Sequence, residues 1–441
     1  MAATITRIGK IDDSFDSFIL KSILIKNDAG DWGNDPDNNA IGIIRSTNFN
    51  NNGKLDLTDV AYRTLKPNKK VEKLLYSGEI LIERSGGSDS QPVGRVGLIT
   101  DEISKDEFAF ANFIQRISID DSIDSTYLFY CLQQMYEMGI TATMQYQTTG
   151  IRNLDWKMYT KSLFPKPLKP EQTAIASILT KVDEAILATQ NSIKAAEKLK
   201  KALMQNLLTG KLKPDGTWRT EDEFYMDEKF GFLPLGWERK QVKDLSAQIQ
   251  YGLNTSSSEN GEYPMFRMNN IIDGKIVAAP MAFVNLNEAE FNKYKLNKGD
   301  ILFNRTNSLD LVGKIGIFEL EGNYVFASYL IRIKANRENN PMYINYYLNS
   351  YRGQCSLRAK ATPAVSQANI NSKSLRNTFI PRPPKVEQDN IVKILNRLDI
   401  QKMTLRNKIT TLQRLKKSLM QNLLTGKVRV DVENINKLLN L

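Results

Sequence analysis

The sequence predicts an α+β protein: two tandem α/β domains separated by two long helices that pair as an antiparallel coiled coil, with pseudo-two-fold symmetry. Three observations carry this. First, Leu199-Lys-Lys-Ala-Leu-Met-Gln-Asn-Leu-Leu-Thr-Gly-Lys211 is written again as Leu415-Lys-Lys-Ser-Leu-Met-Gln-Asn-Leu-Leu-Thr-Gly-Lys427, with one change in 13 positions and an offset of 415 − 199 = 216. A period near half of 441 residues is too long for a solenoid unit and reads as duplication of a whole domain plus helix. Second, each copy closes a 38-residue stretch free of Pro and Gly, 171–208 and 387–424. Third, a β-rich segment and a proline hinge precede each stretch.

In the first domain, residues 1–168, β-type runs fall at Ile41–Thr47, Glu79–Arg84, Arg95–Ile99 and Ala109–Ile117. The clusters Asn50-Asn-Asn-Gly53 and Ser85-Gly-Gly-Ser88 punctuate them. An amphipathic helix is expected at Ser125–Met138, with Leu128, Leu132 and Met135 on one face. The hinge Phe164-Pro-Lys-Pro-Leu-Lys-Pro170 holds the backbone extended, and Pro170 then opens a helix well. The first long helix is placed at 169–210, with Gly210 as its left-handed stop. At 1.5 Å per residue the 38 residues of 171–208 span roughly 57 Å, more than a small core needs.

Residues 211–231 read as a surface linker. The second domain, 232–384, opens near Leu233-Pro-Leu-Gly-Trp-Glu238, with β-type runs at Tyr263–Met268, Asp300–Arg305, Lys314–Phe318 and Val325–Ile333 and a helix at about 342–351. The hinge Ile380-Pro-Arg-Pro-Pro384 leads to a second long helix, 385–427, and a tail, 428–441. Phe110-Ala111, Arg116-Ile117 and Asn153 recur at the 216 offset, while Gly78–Leu81 and Arg84 recur at 221 as Gly299–Leu302 and Arg305. The frame persists and the loops diverge, as expected if the loops carry a different specificity in each copy.

Leu398, Leu405, Leu412 and Leu419 recur every seven residues, with Leu415 beside them; Val182, Ile186, Ile193, Leu199 and Leu203 line the first helix. This spacing predicts a coiled-coil seam, the alternative being that each stripe packs only on its own domain. Two matched helices in one chain favour mutual pairing, which makes the coiled coil a ruler between the domains.

The 60 Lys+Arg against 49 Asp+Glu give a formal charge of +11, which favours a polyanion as partner, nucleic acid ahead of a membrane surface. With 0 His, imidazole acid–base chemistry, His-containing triads and His-ligated zinc are excluded. Cys131 and Cys355 do not fall on the repeat offset, so no duplicated disulfide is expected, and a reducing cytoplasm fits. No apolar run is long enough to span a bilayer. Asn340-Pro-Met-Tyr343 echoes an adenine-methyltransferase motif, but Met replaces its second Pro and no Gly-rich cofactor turn precedes it; it reads as a helix start. Thr209-Gly-Lys211 and Thr425-Gly-Lys427 lack the other residues of a phosphate loop.

Two basic modules at fixed separation suit a DNA target made of two unlike half-sites. At this point the chain resembles the specificity subunits of type I restriction–modification systems. The resemblance rests on the order domain–helix–domain–helix, the proline hinges, the Glu171-Gln172 and Glu387-Gln388 helix starts, and the Leu-Leu-Thr-Gly-Lys ends. It also rests on Leu233–Glu238 as a domain opening and Gly299–Arg305 as a central strand. The amino terminus departs from the pattern, because no Pro-x-Gly-Trp-Glu opening precedes the first domain. The resemblance implies a non-catalytic subunit with no metal of its own, binding a bipartite, asymmetric sequence of double-stranded DNA. It further implies two methyltransferase subunits docked on the helices and a motor-nuclease subunit, with S-adenosylmethionine, ATP and Mg on those partners and none on this chain.

Loops rich in Arg, Asn, Gln, Ser and Thr are the places to look for phosphate and base contacts. The candidates in the first domain are Arg45, Asn48, Arg84, Ser85, Ser88, Gln145, Gln147 and Arg152. In the second they are Arg267, Asn269, Asn270, Arg305, Thr306, Asn307, Lys360, Ser366 and Gln367. Arg84 and Arg305 stand out because each follows a strand and precedes a polar loop. A stand-alone DNA-binding regulator and a coiled-coil scaffold are the alternatives; no helix-turn-helix signature or effector pocket supports the first.

Overall fold

A continuous apolar run, buried on both faces, puts Ile80, Leu81, Ile82 and Glu83 at the centre of a four-stranded antiparallel sheet in the order Leu24–Ala29, Ile114–Ile119, Ile80–Glu83, Val96–Leu98. Ile117 faces Ile80 in register across it. A second sheet carries Ile41–Ile44 between parallel Phe108–Phe110 and antiparallel Ala61–Arg63. The expected single strand Ala109–Ile117 is therefore two strands in two sheets, divided by a turn at 111–113. The computed structural model describes residues 4–88, 91–148, 150–308, 312–363 and 368–439.

The second copy repeats this plan. Leu330–Ala335 and Ile301–Asn304 are central in a six-stranded sheet, with Ile301 opposite Ile333. Tyr263–Phe266 lies between Ala282–Val284 and the parallel strand Val325–Phe326. Val325–Ile333 divides as its counterpart does.

The two equivalent domain helices are each capped by a side chain, as Asp- and Asn-initiated helices favour. Asp124 accepts from Tyr127 N at the head of Ser125–Glu137. Asn340 accepts from Met342 N and Tyr343 N at the head of Pro341–Asn349, so the 340–343 motif is a helix start. The helix expected at 342–351 ends at Asn349, and a separate helix runs Tyr351–Arg358.

The long helices span Lys169–Leu207 and Lys385–Leu423, and both end on a glycine at φ +73°. Their Glu-Gln starts do equivalent work. Gln172 accepts from Asp124 N (2.8 Å) and donates to Pro167 O (2.9 Å); Gln388 accepts from Asn340 N (2.8 Å) and donates to Pro383 O (2.9 Å). Tyr127 and Tyr343 donate to the hinge carbonyls of Pro165 and Pro381.

The chain divides into one unit of Met1–Gln190 with Asn407–Leu441 and another of Asn191–Arg406. Each unit thus holds half of both long helices, paired antiparallel. In the first unit Met420, Leu423 and Leu424 enter the core with Phe18, Leu20 and Leu179; in the second Leu207 and Leu208 pack with Leu233, Trp237 and Leu395.

The seam differs from the expected one. Ile186 and Leu398 are buried, and Val182, Ile193, Leu203, Leu405, Leu412 and Leu419 are half-buried. Leu199 and Leu415, however, are 50% and 46% exposed, and the lysines that follow them turn inward. A seven-residue row drifts about 20° per heptad around a straight helix, and here a half-buried carboxylate gives each lysine a partner.

Two further expectations change. The stretch 211–231 is folded: Leu212 bridges Trp218, Phe224–Asp227 pairs with Gly231–Pro234, and Arg219 Nη2 meets Glu387 at 2.6 Å. The missing opening of the first domain is present in disguise. Strand Asp16–Ile19 pairs with Leu163–Lys166 as Glu238–Gln241 pairs with Phe379–Arg382, which aligns Phe15 with Trp237. Phe15 lies under the Gly426 cap and Trp237 under the Gly210 cap, and Arg429 and Arg219 stack on them with guanidinium-to-ring distances of 4.8 and 5.6 Å. A phenylalanine replaces the tryptophan, which hid the repeat from motif reading.

Candidate nucleic-acid interface

In each unit an arginine follows the last residue of the central strand and hands over to a polar segment. Arg84 is anchored by its backbone N–H to Phe113 O (2.9 Å), and Arg305 in the same way to Tyr329 O (3.0 Å). Both side chains are half-buried. Arg84 donates to Gln115 Oε1 at 3.2 Å, whereas Arg305 lies over the Tyr251 ring at 5.2 Å.

Beyond Arg84, Ser85–Gly87 joins a three-stranded sheet with Ile151–Leu154 and Gln145–Thr148. Arg152 lies opposite Gly87 and Gln147, and Ser85 Oγ donates to Asn153 Oδ1 at 2.6 Å. Ser88 and Gln147 are exposed, and Gln145 is half-buried with its Oε1 accepting from Val93 N. The sheet therefore gathers Arg84, Ser85, Ser88, Gln145, Gln147 and Arg152. In the second unit Thr306–Asn307 pairs with Ala368–Asn369, and Asn307 Nδ2 reaches Met268 Sδ at 3.5 Å. That contact joins the 305–307 segment to the bend holding Arg267 and Asn269, the latter exposed.

The bends at 45–48 and 267–270 are equivalent. Each is a short 3-10 turn led by an arginine whose backbone N–H is held by the asparagine three residues on, at 2.9 Å in one and 2.8 Å in the other. This corrects two candidates. Asn48 and Asn270 are 2% and 0% exposed, and their Nδ2 groups donate to Asp56 O and Asp59 O, and to Val277 O and Pro280 O. Their amides hold the bend and present nothing to a ligand. The arginines beside them remain available: among the described residues Arg45 bridges the exposed Asp59, at 3.1 Å. Among the described residues Arg45 Nε, Arg267 Nε and Arg305 Nε are buried without a hydrogen-bond acceptor.

Lys360 is the third correction. Its ammonium donates to Asn377 O (2.8 Å) and Thr378 Oγ1 (3.0 Å), and burial lowers its pKa. It is committed to holding the end of the short helix Ser372–Arg376. Ser366 and Gln367 lie outside the described residues.

Motif reading missed three aromatic rings. Phe113 and Tyr329, at the same repeat position, are 43% and 49% exposed beside the strand-end arginines, and Tyr251 supports Arg305. Their signal was in the repeat itself, since Phe113 and Tyr329 fall on the 216 offset next to the matched Phe-Ala pairs.

Duplicated arginine-led bends on a shared frame, with unlike loops, define a paired recognition protein and agree with the comparisons with known proteins. A family model described as the type I restriction modification DNA specificity domain matches residues 13–198 and 234–416. The chain belongs to this family. It is similar to the type I restriction enzyme EcoKI specificity subunit of Escherichia coli, 24% identical over 366 residues, covering 81% of this chain and 75% of that protein. To the MjaX specificity subunit of Methanocaldococcus jannaschii it is 32% identical over 212 residues, covering 46% of this chain and only half the length of that relative. The S subunit structure from M. genitalium shares the fold, with a TM-score of 0.57 at 14% identity over 96% of this chain and 99% of that one.

Proposed function

We propose that this chain is the DNA sequence-recognition subunit of a type I restriction–modification complex. Each domain reads one half of a split, asymmetric target in double-stranded DNA, and the long helices set the spacer between the halves. The observation that carries the reading is the pairing of Arg45 with Arg267 and Arg84 with Arg305 on one frame, while the segments around them differ. Equal frames place equivalent arginines; unlike loops let each set meet different base edges.

Two methyltransferase subunits would dock on the helices. Leu199 and Leu415, exposed in the twice-written stretch, supply two equal apolar marks for two copies of one partner. A motor-nuclease subunit would complete the assembly. Catalysis, S-adenosylmethionine, ATP and Mg belong to those partners in this reading, and the complex works in the cytoplasm of a bacterium or archaeon. Among the described residues no helix is long and apolar enough to cross a membrane.

Co-purification with the partner methyltransferase, followed by mapping of methylated adenines on plasmid DNA, tests the reading. A split, non-palindromic motif supports it. Specific, salt-sensitive binding by the lone chain without any partner requirement would instead mark a stand-alone regulator, and no salt-sensitive DNA binding a scaffold.

A further inference from the structure

We propose that the clusters Tyr130–Asp183–Lys416 and Tyr346–Asp399–Lys200 are register locks, which fix how far one long helix is advanced along the other and thereby fix the spacer length in the split target. This rests on the functional reading above and names the residues that would set its ruler.

The two clusters are one device used twice. Lys416 Nζ donates to both carboxylate oxygens of Asp183 at 2.8 Å, and Tyr130 OH donates to Asp183 Oδ2 at 2.9 Å. In the other unit Lys200 Nζ meets Asp399 Oδ1 at 2.5 Å, and Tyr346 OH donates to Asp399 Oδ2 at 2.8 Å. Each ammonium also lies over its tyrosine ring, at 5.3 and 5.1 Å. Every member falls on its counterpart at the 216 offset. In both clusters the carboxylate sits on one long helix, the ammonium on the other, and the phenol on the domain helix. Three elements are thus tied at one carboxylate.

The burial makes the tie selective. The Lys416 and Lys200 side chains are 9% and 14% exposed, and their carboxylate partners 18% and 12%. An apolar seam with heptad spacing tolerates a slide of seven residues, because apolar groups meet apolar groups again; a buried polar pair does not. The residue numbers of both pairs, 183 with 416 and 200 with 399, add to 599, so one antiparallel register satisfies both. Sliding one way would set Asp183 against Ile409 and Lys200 against Val392; sliding the other would set Asp183 against Leu423 and Lys200 against Arg406. Either leaves buried charge without its partner. A seven-residue slide is about 10 Å along the axis, or about three base pairs at 3.4 Å each. The lysines stand in the stretch written twice, so the lock explains why that stretch keeps a lysine where a leucine would pack as well.

The test uses the chain in complex with its methyltransferase, acting on targets with identical half-sites and spacers varied by up to three base pairs. Wild type should methylate one spacer length. Lys200→Met with Lys416→Met keeps an unbranched side chain one atom shorter and removes both ammonium charges; it should read the same half-sites while its preference for the cognate spacer falls by about tenfold or more, as register specificity is lost. Exchanging both pairs (Asp183→Lys with Lys416→Asp and Asp399→Lys with Lys200→Asp) should fold and restore preference relative to Asp183→Lys with Asp399→Lys, which covers the case in which the double methionine variant fails to fold. Unchanged spacer preference in the folded methionine variant, or no recovery in the exchange, overturns the lock and leaves the functional reading standing. A wild-type complex that methylates no split target overturns both.

Discussion

Asn48 and Asn270 occupy the same bend in the two units and bond in the same way, and the turns just beyond them, 52–54 and 273–275, both carry a glycine at φ +80°, but the side chains of those turns reach different partners. After Asn48 the chain runs through 51–54 onto its unit's helices: Lys54 Nζ reaches Asp183 O at 3.3 Å, and Gln133 Nε2 donates to Asn51 O at 2.8 Å. In the second unit the corresponding segment meets the other long helix, with Asp273 bridging Arg406 at 2.9 Å while Gly274 O accepts from Asn345 Nδ2 at 3.0 Å, and a cleft of about 1020 Å³ opens beside it, bordered by Glu197, Met204, Asp273, Tyr346 and Arg352. There Lys275 turns to Glu319, at 3.8 Å. Groups that fix backbone position survive duplication because a change leaves buried polar atoms unpaired. Surface segments carry no such penalty and are free to diverge. Selection on position and selection on recognition have acted on different atoms of the same two domains.

That comparison can be broken first where the units are most alike. Asp183→Ala and Asp399→Ala each leave a buried lysine uncompensated, and each should lower stability by about 3–5 kcal/mol. Denaturant titration should give similar losses for the two; a marked inequality would show that the clusters are not equivalent. Asn48→Ala and Asn270→Ala remove the bend's internal bonds, and each should cost about 1–3 kcal/mol by the same measurement. Arg84→Ala and Arg305→Ala sharpen the contrast. Each should weaken DNA binding by the complex by about 1–3 kcal/mol and relax one half-site, a different half for each variant, in methylation mapping. The smallest effects belong to Lys360→Ala, which should leave the salt dependence of DNA binding unchanged, and to thiol labelling. Burial pushes the Cys131 thiol up to about 12 while Cys355 is exposed, so only Cys355 should react in the folded protein.

Much of this frame was legible in the sequence, for identifiable reasons. Helix limits are set by local rules, a proline hinge before and a glycine after: both long helices start at the expected residue and end three and four residues before the expected 210 and 427. Strand cores such as Ile80–Glu83 and Ile301–Asn304 follow from apolar content. The losses came where tertiary partners decide. Lys416 looks like a solvated surface residue until Asp183 and Tyr130 are placed beside it. Asn48 looks like a loop residue until its carbonyl partners surround it. Phe15 fills the role of Trp237 through shape and ring stacking, which no motif spells out. Of the candidate interface, the strand-end arginines were visible because duplication marked them. The equivalence of Arg45 and Arg267 was masked by a drift in offset from 216 to 222, a consequence of unequal loops.

The central claim is that one frame carries two independent readers. The most direct measurement replaces residues 13–165 with the matching domain of another family member and maps adenine methylation by the reconstituted complex. The account predicts a new sequence in one half of the target, with the other half and the spacer unchanged. A change in both halves, or in neither, would contradict it.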